Sequence, residues 1–291
     1  MLVDWHIWRN MLIVIDRSFN LTATLESGQT FRWHKDGDVY QGVVFHNVVE
    51  VRRVPEGIEF SCLPGPENEI APLLCDYLGL NVDLASVYKT ISVDEHLEES
   101  IARYDGMRIL RQDPWECLVS FICSSASNIP RISRNVEDLS IAFGKPIEGR
   151  TKRHSFPRPE DLAEAGENRI FRLGLGYRAK YLTKTAQIIA EGALDLTSLR
   201  KFSYSHALES LVTLAGVGDK VANCILLFSL DKPEAFPVDT WIIRVLRELY
   251  LGGSMPNTLP KIRAWAQGYF GPYAGYANQY LFHERRRRDR S

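Results

Sequence analysis

Between residues 11 and 62 the apolar positions fall in short runs, MLIVID, TFRWHK, VYQGVVF, NVVEVRR and GIEFSC. Residues with turn chemistry separate several of them: Asp36-Gly37-Asp38, His46-Asn47 and Pro55-Glu56-Gly57. Short β-type runs punctuated in this way predict an antiparallel meander. After Pro64-Gly65-Pro66 the apolar period becomes helical and remains so to the C-terminus. The expected class is therefore α+β, with an antiparallel sheet domain and flanking helices over residues 1–100 and an all-helical region over 101–291.

Several helix boundaries are marked chemically. Asp113-Pro114 is an N-cap followed by proline at the first helical position, and Trp115, Leu118, Val119 and Ile122 form one apolar face behind it. Pro159 opens a second helix whose first turn holds Glu160 and Asp161, where the macrodipole favours carboxylates. A third is predicted from about Tyr177 to Glu191, ending at Gly192. The stretch from Gly144 to Pro159 has five Lys+Arg and three prolines and predicts an exposed loop, while Arg285 to Arg288 predict a solvated helix end.

Composition narrows the function classes. With 291 residues, 45% hydrophobic and 24% charged, the chain can build two or three cores, which excludes disorder and coiled coil. No apolar run approaches the roughly 18 residues of a membrane span, so no membrane partner is expected. The opening MLVDWHIWRNMLIVID is broken by Asp4 and Arg9, where a signal peptide keeps an unbroken apolar core. A cytoplasmic protein is expected, nucleoid-associated if its source is prokaryotic. Cys62, Cys75, Cys117, Cys123 and Cys224 contain no CxxC pair, so buried reduced thiols are expected rather than a disulfide framework or a four-cysteine metal site.

The net charge of −1 conceals an asymmetry. Residues 1–100 hold 7 Lys+Arg against 16 Asp+Glu, net −9, and residues 101–291 hold 28 against 20, net +8. The second part can face phosphate.

The most informative segment is LVTLAGVGDKVANC, residues 211–224, within a predicted hairpin over 211–230. Two helices are joined at Gly216-Val217-Gly218 by a turn tight enough for its backbone to approach another surface closely. Unpaired amides at the start of the second helix suit a phosphate oxygen and would grip a nucleic-acid backbone without reading its sequence. Lys220 lies in that first turn, where the dipole disfavours a cation and would, with burial, favour a neutral nucleophilic amine. Nineteen residues on, Phe236-Pro-Val-Asp-Thr240 places Asp239 to cap a further helix. An amine and a carboxylate beside a phosphate-gripping hairpin point to attack at a sugar carbon in nucleic acid; a plain αα-hairpin and a plain N-cap are the structural alternatives.

LVTLAGVGDKVANC followed by PVD resembles the helix-hairpin-helix DNA glycosylases. SGQTFRW, DPWECLVSFICSS, NIPRI, LGLGYRAKYL and GPYAGYANQYLF narrow the resemblance to the 8-oxoguanine DNA glycosylase/AP lyases, in that family's order and over nearly the whole chain. The resemblance implies that Lys220 attacks C1′ of the damaged nucleotide and Asp239 stabilises charge on the sugar. It implies a base pocket in which the Gly28 carbonyl accepts from N7–H, Phe282 and Cys224 cover the two faces, Asn278 meets the Watson–Crick edge and Phe228 lines the wall. Arg131 and Arg178 would read the orphaned cytosine, beside a Tyr177 wedge and Asn128. The partner implied is double-stranded DNA with 8-oxoguanine opposite cytosine, engaged by a monomer. No cofactor is required; the carbonyls of Val212, Leu214 and Val217 would hold K⁺ or Na⁺.

Two departures stand out. Ala126 replaces the family's plug asparagine, and Trp241 takes a position often held by a phosphate-contacting histidine. A non-catalytic hairpin DNA-binding protein and a monofunctional alkylpurine DNA glycosylase are the competing readings. Lys220 argues against the second, and the absence of any cysteine after Cys224 argues against an iron-sulfur relative.

Overall fold

A computed structural model describes residues 11–149, 151–254 and 256–289, so Asp4, Arg9 and Arg150 lie outside the described residues. The chain opens with β1 (Met11–Val14), α1 (Leu21–Glu26), β2 (His34–Asp36), β3 (Val39–Val44), β4 (Asn47–Val54) and β5 (Gly57–Leu63). All pairings are antiparallel in the order β1-β5-β4-β3-β2, so the meander forms as expected and β1 closes its far edge. The alternating residues Tyr40, Val49, Val51, Ile58, Phe60 and Cys62 face one core, covered by Ile70, Leu74 and Tyr77 of α2 (Glu67–Tyr77).

Leu21–Glu26, between the first two runs, is a helix, because the Asn20 side chain accepts from the Ala23 amide and the turn buries Leu21, Ala23, Thr24 and Leu25. The β-type pattern misleads at one place, the TFRWHK run, of which only His34 and Lys35 lie in a strand, β2. Residues 30–33 leave the sheet, with Phe31 turned into the helical core and Trp33 donating to Tyr77 Oη at 2.9 Å.

The helices continue with α3 (Leu84–Ile91), α4 (Glu95–Arg103), α5 (Pro114–Cys123), α6 (Ile129–Phe143), α7 (Pro159–Ile170), α8 (Arg178–Ala190), α9 (Tyr204–Val212), α10 (Asp219–Ser229), α11 (Thr240–Leu246), α12 (Leu259–Phe270) and α13 (Ala274–Arg288). Asp113 caps α5 through the Glu116 amide, and Gly192 at φ +71° follows α8, as their sequences require. Leu84, Val87, Ile91 and Leu97 belong to the helical core. Ala23 and Phe31 join that core from the N-terminal part, and Leu110 joins the sheet core from the other side, so the two cores exchange residues across the chain.

The Gly144–Pro159 segment is not the freely exposed loop its composition suggests. Ile147, Phe156 and Pro157 are buried, and Trp115 donates to Pro157 O at 2.9 Å. Arg32 donates to His154 O, Arg153 returns a bond to Arg32 O at 2.9 Å, and both guanidiniums pair with Glu137. Burial pushes the neighbouring Glu116 carboxyl up to about 7, against the opposing pull of Arg32. None of the described helices is long and apolar enough to cross a membrane.

Candidate active site

The α9–α10 hairpin forms as its glycines predict. Gly216 has φ +80°, and a β-carbon there would come within 2.8 Å of the Tyr181 side chain, so both the backbone angle and the close approach require glycine. Gly218 is the N-cap residue of α10, with no side chain over the first amides. Asp219, next in the turn, is held by Arg263 at 2.9 Å, leaving Lys220 to turn inward.

Lys220 enters a cavity of about 480 Å³ bounded by α5, the 124–128 turn, α10, the Pro237–Trp241 loop, α13 and the Gly28 turn. Its Nζ donates to Ser124 Oγ at 3.0 Å and lies 5.1 Å from the Phe121 ring centroid. Asp239 lines the same cavity and accepts from the Ile242 amide at 2.8 Å, so it both caps α11 and serves the site. Burial raises its pKa, opposed by that amide and by the Lys220 charge. Cys224, one turn beyond Lys220, is pushed up to about 11 by burial and offers a neutral thiol wall at neutral pH. Phe228 lines the wall as expected, stacked on Phe121 at 5.5 Å between centroids.

The opposite side comes from chain ends far apart in sequence. Gly28 has φ +85°, and a β-carbon there would overlap Arg286 Nη1, reach 2.9 Å from Ile129 Cδ1 and meet Phe282 Cε1 at 3.4 Å. Its turn is held firmly. Gln29, fully buried, donates to the Thr24 and Arg108 carbonyls and accepts from the Leu110 amide at 2.8 Å, while Gln279 donates to Ser27 O at 3.2 Å. Phe282 lines the cavity with the Arg286 guanidinium 5.8 Å from its centroid. Asn278 is present too, but its Nδ2 donates to Pro237 O at 2.9 Å, which ties α13 to the loop bearing Asp239 and leaves Oδ1 for a ligand.

The residues assigned to the opposite base sit beside this cavity and divide in role. Asn128 is exposed and caps α6 through the Arg131 amide at 3.0 Å. Arg131 is exposed, and Tyr177 is 54% exposed at the start of α8. Arg178 departs from a free base-reading arginine. It is 3% exposed, and its guanidinium donates to the carbonyls of Ser125, Ala126 at 3.0 Å and Leu175 at 3.2 Å. Arg178 is thus a positioning residue for the 125–126 turn. Ala126 in that turn has φ +47°, a conformation that asparagine adopts more readily than alanine. Trp241 lines the cavity under the Arg244 guanidinium, 5.6 Å away.

Sequence reasoning missed Gln29, Gln279, Ser124, Phe121 and Arg286. Arg286 appeared as part of a solvated basic tract, yet it is 7% exposed and donates to Glu26 O. Its spacing of four from Phe282 was the available signal, since positions i and i+4 share a helix face.

An amine and a carboxylate that line one cavity, beside a glycine hairpin whose second helix opens without a side-chain cap, are the arrangement of a helix-hairpin-helix DNA glycosylase. Residues 11–118 match the model of the 8-oxoguanine DNA glycosylase N-terminal domain, and residues 119–264 match that of the HhH-GPD superfamily base excision DNA repair proteins. The Arabidopsis thaliana N-glycosylase/DNA lyase OGG1 is 36% identical over 90% of this chain and 76% of its own length. The probable N-glycosylase/DNA lyase of Methanothermobacter thermautotrophicus is 31% identical over 92% and 94%. Among solved structures, the Clostridium acetobutylicum 8-oxoguanine glycosylase/lyase, in complex with duplex DNA containing cytosine opposite 8-oxoguanine, superposes with a TM-score of 0.88 at 34% identity, covering 97% of this chain and 99% of that one. The chain belongs to the 8-oxoguanine DNA glycosylase/lyase family.

Proposed function

We propose that this protein excises 8-oxoguanine from duplex DNA and then cleaves the strand at the site it has created. The observation that carries the reading is the shared cavity: Lys220 and Asp239 line it together with Gly28, Cys224 and Phe282. A base inside a duplex is out of reach, so the nucleotide must be extruded, at a cost of a few kcal/mol. The flipped base lies between Phe282 and Cys224, and the Gly28 carbonyl accepts the N7 proton that distinguishes 8-oxoguanine from guanine.

Lys220 Nζ bonds to C1′ as the bond from C1′ to the base breaks. Asp239 stabilises the positive charge that develops on the sugar, an effect that is large where water is excluded. The bound amine then loses a proton and the C1′–O4′ bond breaks, opening the sugar to a Schiff base; this acidifies the C2′ protons, and loss of one of them with departure of the 3′ phosphate nicks the strand. A glycosylase that activates water needs the carboxylate alone; the lysine beside it favours the bifunctional reaction. Release of base together with a nicked strand is the expected activity, and release of base without nicking would restrict the protein to the monofunctional reaction.

The partner is duplex DNA with cytosine opposite the lesion, bound by one copy of the chain, since one chain supplies the amine, the carboxylate and the base pocket of a complete site. The carbonyls of Val212, Leu214 and Val217 suit a K⁺ or Na⁺ ion. They stand at the negative end of α9, and Leu214 O, which accepts from the Val217 amide at 3.1 Å, keeps a second lone pair. Such an ion would supply positive charge toward a DNA phosphate.

A further inference from the structure

Beside the active-site cavity is a second pocket, between the first turns of α6 and the π-helical turn Phe171–Leu175, lined by Arg131, Arg134, Arg172, Asn135 and Gly174. Asn128 lines both hollows, so the second pocket adjoins the site proposed to hold the extruded nucleotide.

Its chemistry is that of an anion seat. Arg131 and Arg134 lie one turn apart on the same face of α6, and Arg172 comes from the opposite wall. Arg131 spans the gap, donating to Gly174 O at 3.3 Å. All three arginines are exposed, and none forms an ion pair with a carboxylate among the described residues. This contrasts with Arg32 and Arg153 of the neighbouring cluster, which share Glu137. Bringing three cations to one pocket without an acid is unfavourable until an anion arrives. The N-terminus of α6, a helix of 15 residues, adds its positive end to the same place. The one buried acceptor, Asn135 Oδ1, has no hydrogen-bond partner among the described residues, but it is sealed below the rim and does not present itself to an incoming phosphate.

We propose that this pocket seats a phosphodiester of the strand opposite the lesion, with Arg134 and Arg172 as its principal donors. The inference rests on the glycosylase reading above. The strand is assigned by position: the damaged strand is gripped at the α9–α10 hairpin and sends its nucleotide into the Lys220 cavity, and the second pocket lies beyond the 125–128 turn from that cavity. Arginine fits the task because its planar fork takes two phosphate oxygens at once. The contact would hold the partner strand in register without reading a base.

The test compares wild type with Arg134→Ala/Arg172→Ala on a duplex carrying an uncleavable tetrahydrofuran abasic site opposite cytosine or adenine, across a salt series. The expected result is weaker binding by the same factor for both opposite bases, and a slope of log K against log salt smaller by about 0.9, the loss of one phosphate contact. Uncharged methylphosphonate linkages in the opposite strand should abolish the difference between variant and wild type; the same linkages in the lesion strand should preserve it. Arg134→Lys/Arg172→Lys should restore most of the slope and shows that the alanine variant has not lost its fold. An unchanged slope, a shift confined to the cytosine/adenine ratio, or a difference abolished only from the lesion strand would overturn the proposal. Failure of wild type to form a borohydride-trapped complex on an 8-oxoguanine duplex would instead defeat the glycosylase reading itself.

Discussion

Gly28→Ala tests the base pocket with the smallest available perturbation, one methyl group. Two effects add at this position. The backbone is at φ +85°, where a residue with a β-carbon is disfavoured by about 1–2 kcal/mol. The methyl would overlap the flexible end of Arg286, which can swing aside, but it would also press on Ile129 Cδ1 at 2.9 Å and touch the Phe282 ring at 3.4 Å. The backbone term leaves a typical total stability of about 5–15 kcal/mol mostly intact, so the variant should fold. The displaced wall matters more for chemistry, because misplacing a bound reactant by about 1 Å costs roughly 100-fold in rate. Single-turnover release of 8-oxoguanine opposite cytosine should therefore fall by about 10- to 100-fold, and discrimination against guanine should fall with it. Cleavage of a preformed abasic site, which requires Lys220 but no base, should change by less than about threefold on the same reasoning. Equal losses in both assays would mean that the substitution has disturbed the fold or the nucleophile. No loss in either would remove Gly28 from recognition.

Asp239→Asn should slow the chemical step by about 100- to 1000-fold, the range for removing one preorganised electrostatic contact. Asparagine caps a helix about as well as aspartate, so thermal unfolding should not show a loss of stability. The sign supports this: the buried carboxyl has a raised pKa, so ionising it costs stability as pH rises through that value, and the variant escapes the cost. For Glu116, raised by burial to about 7, the folded state binds the proton more tightly than the unfolded chain, so its contribution to stability should decline between roughly pH 4.5 and 7. Glu116→Gln should flatten that part of a denaturant-midpoint profile against pH, and an unchanged profile would show that the paired arginines cancel the burial. Ala126→Asn should be well tolerated, because Ala126 has φ +47°, and it should sharpen the preference for cytosine over adenine opposite the lesion. Cleavage rates with each of the four opposite bases decide it; a strong preference already in wild type and unaltered in the variant would assign the plug to Asn128 or another residue.

Features with local causes were legible in the sequence. Asp113-Pro114, Gly192 and the Gly216-Val217-Gly218 turn each act within a few residues, and each forms as the residues dictate. That Lys220 and Asp239 belong to one site was also readable, from the hairpin and the PVD segment 19 residues on. Convergence was not legible. That Gly28, Ile129 and Phe282 meet in space depends on how a sheet domain docks on α6 and α13, and spacing along the chain contains no such information; the family resemblance supplied Gly28 and Phe282 but not Ile129. Composition misled where tertiary pairing reversed exposure. Arg153 and Arg286 read as solvated cations, yet Arg153 is held between Glu137 and the Arg32 carbonyl, and Arg286 lies over Phe282. Arg178 likewise has the residue type of a base reader, while its contacts make it the brace of the 125–126 turn.

The central claim is that one amine, Lys220, links base release to strand cleavage. Its most direct test is borohydride reduction during reaction with a duplex containing 8-oxoguanine opposite cytosine, followed by peptide mapping of the covalent complex. The account predicts a stable protein–DNA adduct on Lys220, with Lys220→Gln forming none and losing base release and nicking together while still binding DNA. An adduct on another residue, or base release that persists in Lys220→Gln, would contradict it.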